Sequence, residues 1–498
     1  MAWRTCDVVV AGMGNAAQAA ACAAHQSGAK VIVLEKAAEA KKGGNSWFSS
    51  SAHFRHAYNS LAEERVLLPQ VAAADFEVVD LPAYTKDDFY SDLMRVTNGR
   101  ADPALTELLV NESYPTVKWM QESGITWEIH YPSVPVGNRW RWHHGEVFVH
   151  ARDGGAGIVE MWHQVLKRDG VEVLFETPLT RLLTNERGHV YGVVVQTDDG
   201  YQEIHCKAVV LGCGGFEANP AMRAQWLGPG WDLAKVRGTR YNTGDGIQAA
   251  LDIGAQAVGH YSYAHAAPID AGAGEVEAGF LDPSARRHMS HRYHWPYGIM
   301  VNTEARRFLD EGEDFSAYTY AKFGGIILRQ PGGIAHQIFD AKVLPLVMSG
   351  VMYQGATPTT ASTIAELAEK LDLNPETLVH SVGEYNEACP PETGDVDYFV
   401  RDGRSTKGLQ PAKTNWARPI DTPPFTSFAA ACGITFTYGG LKVNPRLQVL
   451  DKRDRPIKGL YGCGELTGGF FYHNYPSGSG LMRGGVTGRV SGRNAATD

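Results

Sequence analysis

The run Asp7-Val8-Val9-Val10-Ala11-Gly12-Met13-Gly14-Asn15-Ala16-Ala17 is followed by an Ala-rich stretch and then by Ala29-Lys30-Val31-Ile32-Val33-Leu34-Glu35-Lys36. A β-branched strand, a Gly-x-Gly-x-x-Ala turn, one helix and a second apolar strand ending in an acid spell a βαβ dinucleotide-binding unit. Gly12 permits the tight turn, Gly14 lets backbone N–H groups come close to a pyrophosphate, and Ala17 is small enough for the helix to pack on the strand. The pyrophosphate is expected at the helix N-terminus, beside Asn15 and Ala16, where unpaired N–H groups and the macrodipole favour negative charge. Glu35, next to Lys36, is placed to accept hydrogen bonds from a ribose diol and would repel a 2′-phosphate.

A chain of 498 residues exceeds one ordinary core, so two or three domains are expected. The net charge of −9, with both signs spread along the chain, argues against nucleic acid as a partner. The first strand begins at about Asp7, too early for a signal peptide to precede it, and no apolar run of about 18 residues is present, so a cytoplasmic protein without a membrane span is expected. The cysteines (Cys6, Cys22, Cys206, Cys213, Cys389, Cys432 and Cys463) are dispersed and lack Cys-x-x-Cys spacing. They read as buried thiols, and no metal site is expected.

Beyond the βαβ unit lies Lys41-Lys42-Gly43-Gly44-Asn45-Ser46-Trp47-Phe48-Ser49-Ser50-Ser51, either a flexible connector or, if the dinucleotide is FAD, a loop that meets the flavin through its backbone. The segment Asn138-Arg139-Trp140-Arg141-Trp142-His143-His144 either closes over a substrate or packs between domains. A helix, a strand and a meander are expected from Gly154 onward, ending in a returning strand whose C-terminal glycines Gly214 and Gly215 face the cofactor. Thr243-Gly244-Asp245-Gly246 opens a further helix, with Asp245 as cap or cofactor contact. Between about 258 and 434 Pro, Gly and aromatic residues become frequent, and a Thr-x-x-Glu capping box starts a helix at Thr363. The nucleotide-binding pattern resumes at Val449-Leu450, runs through Gly464-Glu465 and ends in a final helix that begins near Ser479 and Leu481. The expected fold is therefore α/β, a Rossmann-type FAD-binding domain (1–258 and 435–498) carrying an inserted α+β capping domain (259–434).

These features, with Gly214-Gly215-Phe216-Glu217-Ala218-Asn219, Ala264-His265, the segment Val301 to Phe315, the segment Lys413 to Phe425 and Gly433 to Leu441, resemble the flavoprotein subunit of succinate dehydrogenase and fumarate reductase over nearly the whole chain. Within that group the chain is similar to FAD-dependent tricarballylate dehydrogenases. The resemblance implies FAD, a mobile cap that holds substrate against the flavin, and hydride transfer between flavin N5 and a carbon, paired with proton transfer on the adjacent carbon. It also implies departures. The position that attaches FAD covalently through a histidine in respiratory members is Asn45 here, so non-covalent FAD is expected. The substrate-handling histidine of fumarate reductases is replaced by Phe436, the carboxylate-gripping arginine by Tyr475, and the proton-donating arginine falls near Phe315, whereas His265 is retained. Tyr475-Pro476-Ser477-Gly478 is similar to the Tyr-Pro-Gly turn of 3-ketosteroid dehydrogenases, where a tyrosine hydroxyl and a backbone N–H hold a ketone oxygen.

Tyr475 is thus either a carbonyl ligand or a cover for the flavin edge. Tyr318, Tyr320, His473 and His265 are the candidates for acid or base. The cluster from Arg286 to His294 reads either as a polycarboxylate receptor or as a solvated loop. The leading expectation is an FAD-dependent oxidoreductase that forms or reduces a carbon–carbon double bond beside a carboxylate or carbonyl in a small organic acid, with an unidentified electron acceptor. The alternatives are a ketone α,β-desaturase acting on a cyclic substrate and a non-catalytic flavin-binding redox sensor.

Overall fold

The structure, a computed structural model, describes residues 3–132, 136–282, 284, 288–349, 351–391 and 396–498. The apolar runs Val8–Ala11 and Val31–Leu34 are buried throughout, as strands covered on both faces must be. They form the centre of a six-stranded sheet whose order, by residue range, is 448–450, 456–462, 208–211, 8–11, 31–34 and 172–174. Every neighbouring pair is parallel except 448–450 with 456–462. This is the α/β, Rossmann-type arrangement expected from sequence, and its final strands come from the far end of the chain. The predicted meander is present as Leu179–Thr184, Val190–Thr197 and Gly200–His205, an antiparallel set beside the main sheet.

Two helices bring their N-termini to the carboxyl edge of this sheet. Asn15–Gln26 is rich in alanine and almost wholly buried, and the 19-residue helix Ser479–Thr497 carries glycine at 484, 488 and 492. A Cβ at Gly488 or Gly492 would strike the backbone carbonyls of Ala16 and Ala20, so the absence of side chains there allows the helices to run in parallel in close contact. Asn15 Nδ2 donates to the Leu481 carbonyl at 2.9 Å, which ties the two N-termini side by side. At Gly12, φ is +106° and a Cβ would lie 2.6 Å from the Gly212 carbonyl oxygen. Only glycine makes that turn at no cost.

The second large sheet is built on one 17-residue strand, Phe425–Leu441. It pairs antiparallel with Ala257–Asp270, Ile334–Phe339 and Thr359–Ala361, and parallel with Lys235–Val236. The division expected at 434/435 falls inside this strand, which pairs within the second sheet from Phe425 to Leu441. Asn138–His144 is packed against neighbouring segments and is not among the residues lining the cavity around His265 and Tyr475. Trp140–Arg141 pairs with Val79–Asp80, the buried Trp142 indole donates to the His130 carbonyl, and His143 stacks on Phe315 at 4.1 Å. The helix Ile364–Lys370 is capped by Thr363, whose hydroxyl accepts the Glu366 N–H.

All seven cysteines are free thiols, and burial raises the pKa of Cys22 to about 11. Among the described residues no cluster of His, Cys, Asp or Glu could hold a metal, and no helix is long and apolar enough to cross a membrane.

Candidate active site

A cleft runs along the carboxyl edge of the parallel sheet. Gly12, Gly14, Asn15 and Ala16 form its floor, Glu35 and Lys36 one end, and Gly44, Asn45 and Ser46 its side. Gly214, Asp245 and Glu465 complete it. Glu35 is 7% exposed, accepts the Ala37 N–H at 2.8 Å through Oε1, and has its pKa raised by burial. Lys36 Nζ is paired with Asp245 at 2.5 Å and bonds Thr243, so Asp245 holds Lys36 rather than capping its own helix, which has no side-chain cap.

The donor set fits the dinucleotide. The N-cap residues of the two adjoining helices are glycines, Gly14 and Gly478, with no side chain to cap them, and the Ser46 hydroxyl accepts the Asn15 N–H at 2.9 Å. The buried Ser479 hydroxyl, at the first turn of the final helix, has no hydrogen-bond partner among the described residues. Unfilled donors and two convergent positive dipole ends are what a pyrophosphate and the electron-rich edge of a flavin require. Gly43 and Gly215, expected to touch the cofactor, lie behind the cleft wall. Their missing side chains make room for Val159 and for Glu465 with Thr437, respectively.

Asn45 joins the cleft to the second sheet. Its Oδ1 accepts the Thr239 N–H at 2.7 Å, and its Nδ2 donates to Glu217 at 2.5 Å and to the Thr435 carbonyl. Glu217 also accepts from Asn242 at 2.6 Å. Burial, and then the neighbouring Glu465 carboxyl, push Glu217 well above the usual carboxyl range. The charged form of Glu217 is thus disfavoured beneath the cleft. Glu217 was quoted in the sequence only as part of a motif, and its burial was not legible there.

Past Asn15, Asn45, Ser46 and Glu465 the cleft opens into a cavity of about 300 Å³. Gly464 and Leu481 line the FAD side of it; His265, Phe436, Tyr320 and Tyr475 line the other. His265 stacks on Phe436 at 4.9 Å and meets the rings of Tyr320 and Tyr475 edge-on at 4.9 and 5.0 Å. The Tyr320 and Tyr475 hydroxyls are hydrogen-bonded to each other. Both tyrosines are buried, and burial raises both pKa values, so each is a neutral phenol at ordinary pH. His265 has no hydrogen-bond partner on either ring nitrogen among the described residues. Burial, and then the Arg237 charge, lower its pKa well below the usual histidine value.

Two expected residues leave the site. The Tyr318 hydroxyl donates to Asp92 at 2.6 Å and accepts from Arg55 at 3.2 Å, in a buried network that does not reach the cavity. It shares a sequence neighbourhood with Tyr320, but the short helical turn at Ser316–Tyr318 points it the other way. His473 has left-handed φ of +60° and packs against His260 at 4.4 Å, outside the cavity.

The cluster from Arg286 to His294 divides. Arg286 and Arg287 lie outside the described residues. Arg292 is buried against Asp270 and the Met352 carbonyl, His294 is bonded to the Val347 carbonyl, and His291 and Tyr293 line the cavity. Arg237, His53 and His130 also line it and were missed. Only the position of Arg237 just before Thr243-Gly244-Asp245-Gly246 offered a signal. Burial pulls the His130 pKa down to about 3.

Among curated proteins, a probable fumarate reductase, Ifc3, of Shewanella frigidimarina is 26% identical over 502 residues, covering 99% of this chain and 75% of its own. The 4-oxocyclohexanecarboxylate 2-dehydrogenase of Sinomonas cyclohexanicum is 26% identical over 552 residues, covering 99% and 93%. The solved structure of a 3-ketosteroid Δ1-dehydrogenase from Sterolibacterium denitrificans superposes with a TM-score of 0.73 at 21% identity, over 99% of both chains, and so shares the fold. The profile of the FAD binding domain matches residues 7–481, spanning both the cleft and the cavity, and the chain therefore belongs to the FAD binding domain family.

Proposed function

We propose that this protein is an FAD-dependent oxidoreductase that adds or removes hydrogen across the carbon–carbon bond α,β to a carbonyl or carboxylate, with Tyr475 receiving that group's oxygen. The observation that carries the reading is the Tyr320–Tyr475 hydroxyl pair, set in a cavity continuous with the FAD cleft. FAD, when bound, supplies the acceptor or donor of hydride. The protein's own residues must polarise the oxygen and move a proton at the α-carbon.

As a neutral phenol held by Tyr320, Tyr475 keeps a hydrogen to donate to the oxygen where negative charge develops. A preorganised donor of this kind in a water-poor site is worth about 10²–10³ in rate. In the dehydrogenation direction the α-proton needs a base. Burial and the Arg237 charge favour the neutral form of His265, its ring nitrogens have no hydrogen-bond partner among the described residues, and it lines the same cavity. It is the group in the protonation state to accept that proton. The names of the fumarate reductase and of the 4-oxocyclohexanecarboxylate dehydrogenase among the relatives support this reaction class.

The leading substrate class is a small organic acid of the tricarballylate kind. The second, a cyclic ketone, is favoured by Phe436 lining the cavity at the position of the fumarate reductases' histidine. The test is anaerobic mixing of FAD-loaded protein with saturated di- and tricarboxylates and, separately, with cyclic ketones. Loss of the yellow flavin band with the acids supports the first class, and with the ketones alone the second. Loss with neither panel, together with no reoxidation of the reduced flavin by the matching unsaturated acids and enones while FAD remains bound, refutes the catalytic reading in favour of a redox sensor.

A further inference from the structure

The buried arginines of this protein differ in how their charge is met. Arg307 pairs with Glu311 and Arg292 with Asp270. Arg237, 7% exposed, has no ion pair among the described residues. Its backbone N–H donates to the Ile434 carbonyl at 2.8 Å, which anchors it beside the long strand. Its Nη1 donates to the Thr435 hydroxyl at 2.8 Å, and its Nη2 donates to His291 Nε2 at 2.7 Å. Both partners are neutral groups, and Nε has no hydrogen-bond partner among the described residues.

A guanidinium never loses its charge, and it carries five N–H donors. Holding one buried without a counter-ion costs several kcal/mol. The surroundings of Arg237 are themselves incompletely bonded. Among the described residues neither ring nitrogen of His265 nor the Tyr293 hydroxyl has a hydrogen-bond partner, and both side chains line the same cavity as Arg237 and His291. His291 accepts from Arg237 through Nε2, so its remaining proton sits on Nδ1. It is stacked flat on Tyr293 at 4.7 Å with an interplanar angle of 3°, which fixes the ring that in turn fixes the fork.

We infer that Arg237, oriented by His291 and Thr435, is the anion receptor of the cavity and takes a substrate carboxylate on its free N–H groups. Substrates of this protein are therefore organic anions, and a neutral ketone of the same shape binds poorly. This rests on the reading that the cavity is where substrate lies. It assigns Arg237 a specificity role that neither Tyr475 nor His265 fills.

The test uses FAD-loaded, full-length protein, so that the cleft's own anion-binding helix ends are occupied. Malonate and benzoate, which offer no saturated α,β bond to oxidise, are titrated calorimetrically beside their neutral counterparts malonamide and benzamide. Wild type is expected to prefer at least one anion over its amide by about tenfold or more, as for hydrogen bonds to a charged group. Arg237→Gln is expected to remove that preference while retaining FAD and its benzamide affinity, and Arg237→Lys to restore part of it. The inference is overturned if wild type shows no saturable anion binding, or if the preference survives in Arg237→Gln within about twofold. Should Arg237→Gln fail to hold FAD, Arg237→Lys decides by its anion-to-amide ratio, which falls if the fork is used. Anion binding through Arg237 in a protein whose flavin neither panel reduces and no unsaturated acid or enone reoxidises would support this assignment while refuting the catalytic reading.

Discussion

Replacing Tyr475 by phenylalanine removes one oxygen and leaves the packing in place. The ring lies 5.0 Å from His265, 5.2 Å from Phe436 and 5.2 Å from Phe471, and these contacts do not involve the hydroxyl. The substitution has two consequences. The Tyr320 hydroxyl loses its partner in a buried site, a destabilisation of about 1–3 kcal/mol. The substrate oxygen loses its donor, so reduction of the bound flavin by substrate is expected to slow by about 10²–10³, equivalent to about 2.7–4 kcal/mol of barrier. Tyr320→Phe leaves the Tyr475 hydroxyl in place and removes a neutral hydrogen bond of about 0.5–1.5 kcal/mol, so its expected slowing is no more than about tenfold. Because the two hydroxyls form one unit, the double variant is expected to be no slower than Tyr475→Phe alone. Stopped-flow anaerobic reduction at saturating substrate, with FAD per chain measured alongside, reads all three variants. A Tyr475→Phe rate within about threefold of wild type refutes the assignment. A double variant slowed by the product of the single effects refutes the coupling.

Two further outcomes follow from the geometry. Asn45 is committed to Glu217, Thr239 and the Thr435 carbonyl and offers no nucleophile; acid precipitation is expected to release FAD into the supernatant, and colour retained in the pellet refutes this. For the buried pair His56 Nε2–Glu64 Oε1 at 2.7 Å, burial alone would lower the histidine pKa, but the Glu64 carboxylate outweighs it and holds the value above the usual one. The resulting stabilisation is fully present below the unfolded value of about 6.5 and is lost as pH rises through the folded value. In denaturant titrations the deficit of His56→Gln relative to wild type is thus expected to be largest below about pH 6.5 and to shrink in alkali, and a deficit that grows with pH refutes it.

By itself the sequence determined the nucleotide half of the protein. A Gly-x-Gly-x-x-Ala turn between two β-branched runs admits few folds, because the left-handed Gly12 and the unfilled helix end are backbone properties set by local residues. The far C-terminal strand, too, was legible from its apolar run ending in Gly464-Glu465. The tertiary structure decided the cavity. Tyr318 and Tyr320 are two residues apart, yet one bonds Asp92 and the other Tyr475. Arg237 and His291 are 54 residues apart in the chain and share a hydrogen bond. Whether a side chain faces a cavity depends on turns such as Ser316–Tyr318 and on the register along Phe425–Leu441, where a shift of one residue exchanges the two faces of a strand. Burial then weighs on the charge of each group, disfavouring the ionised forms of Glu217 and the tyrosines and leaving Arg237 as a cation without a carboxylate partner among the described residues. Desolvation arises only when distant segments pack together, and residue order along the chain carries no direct record of it.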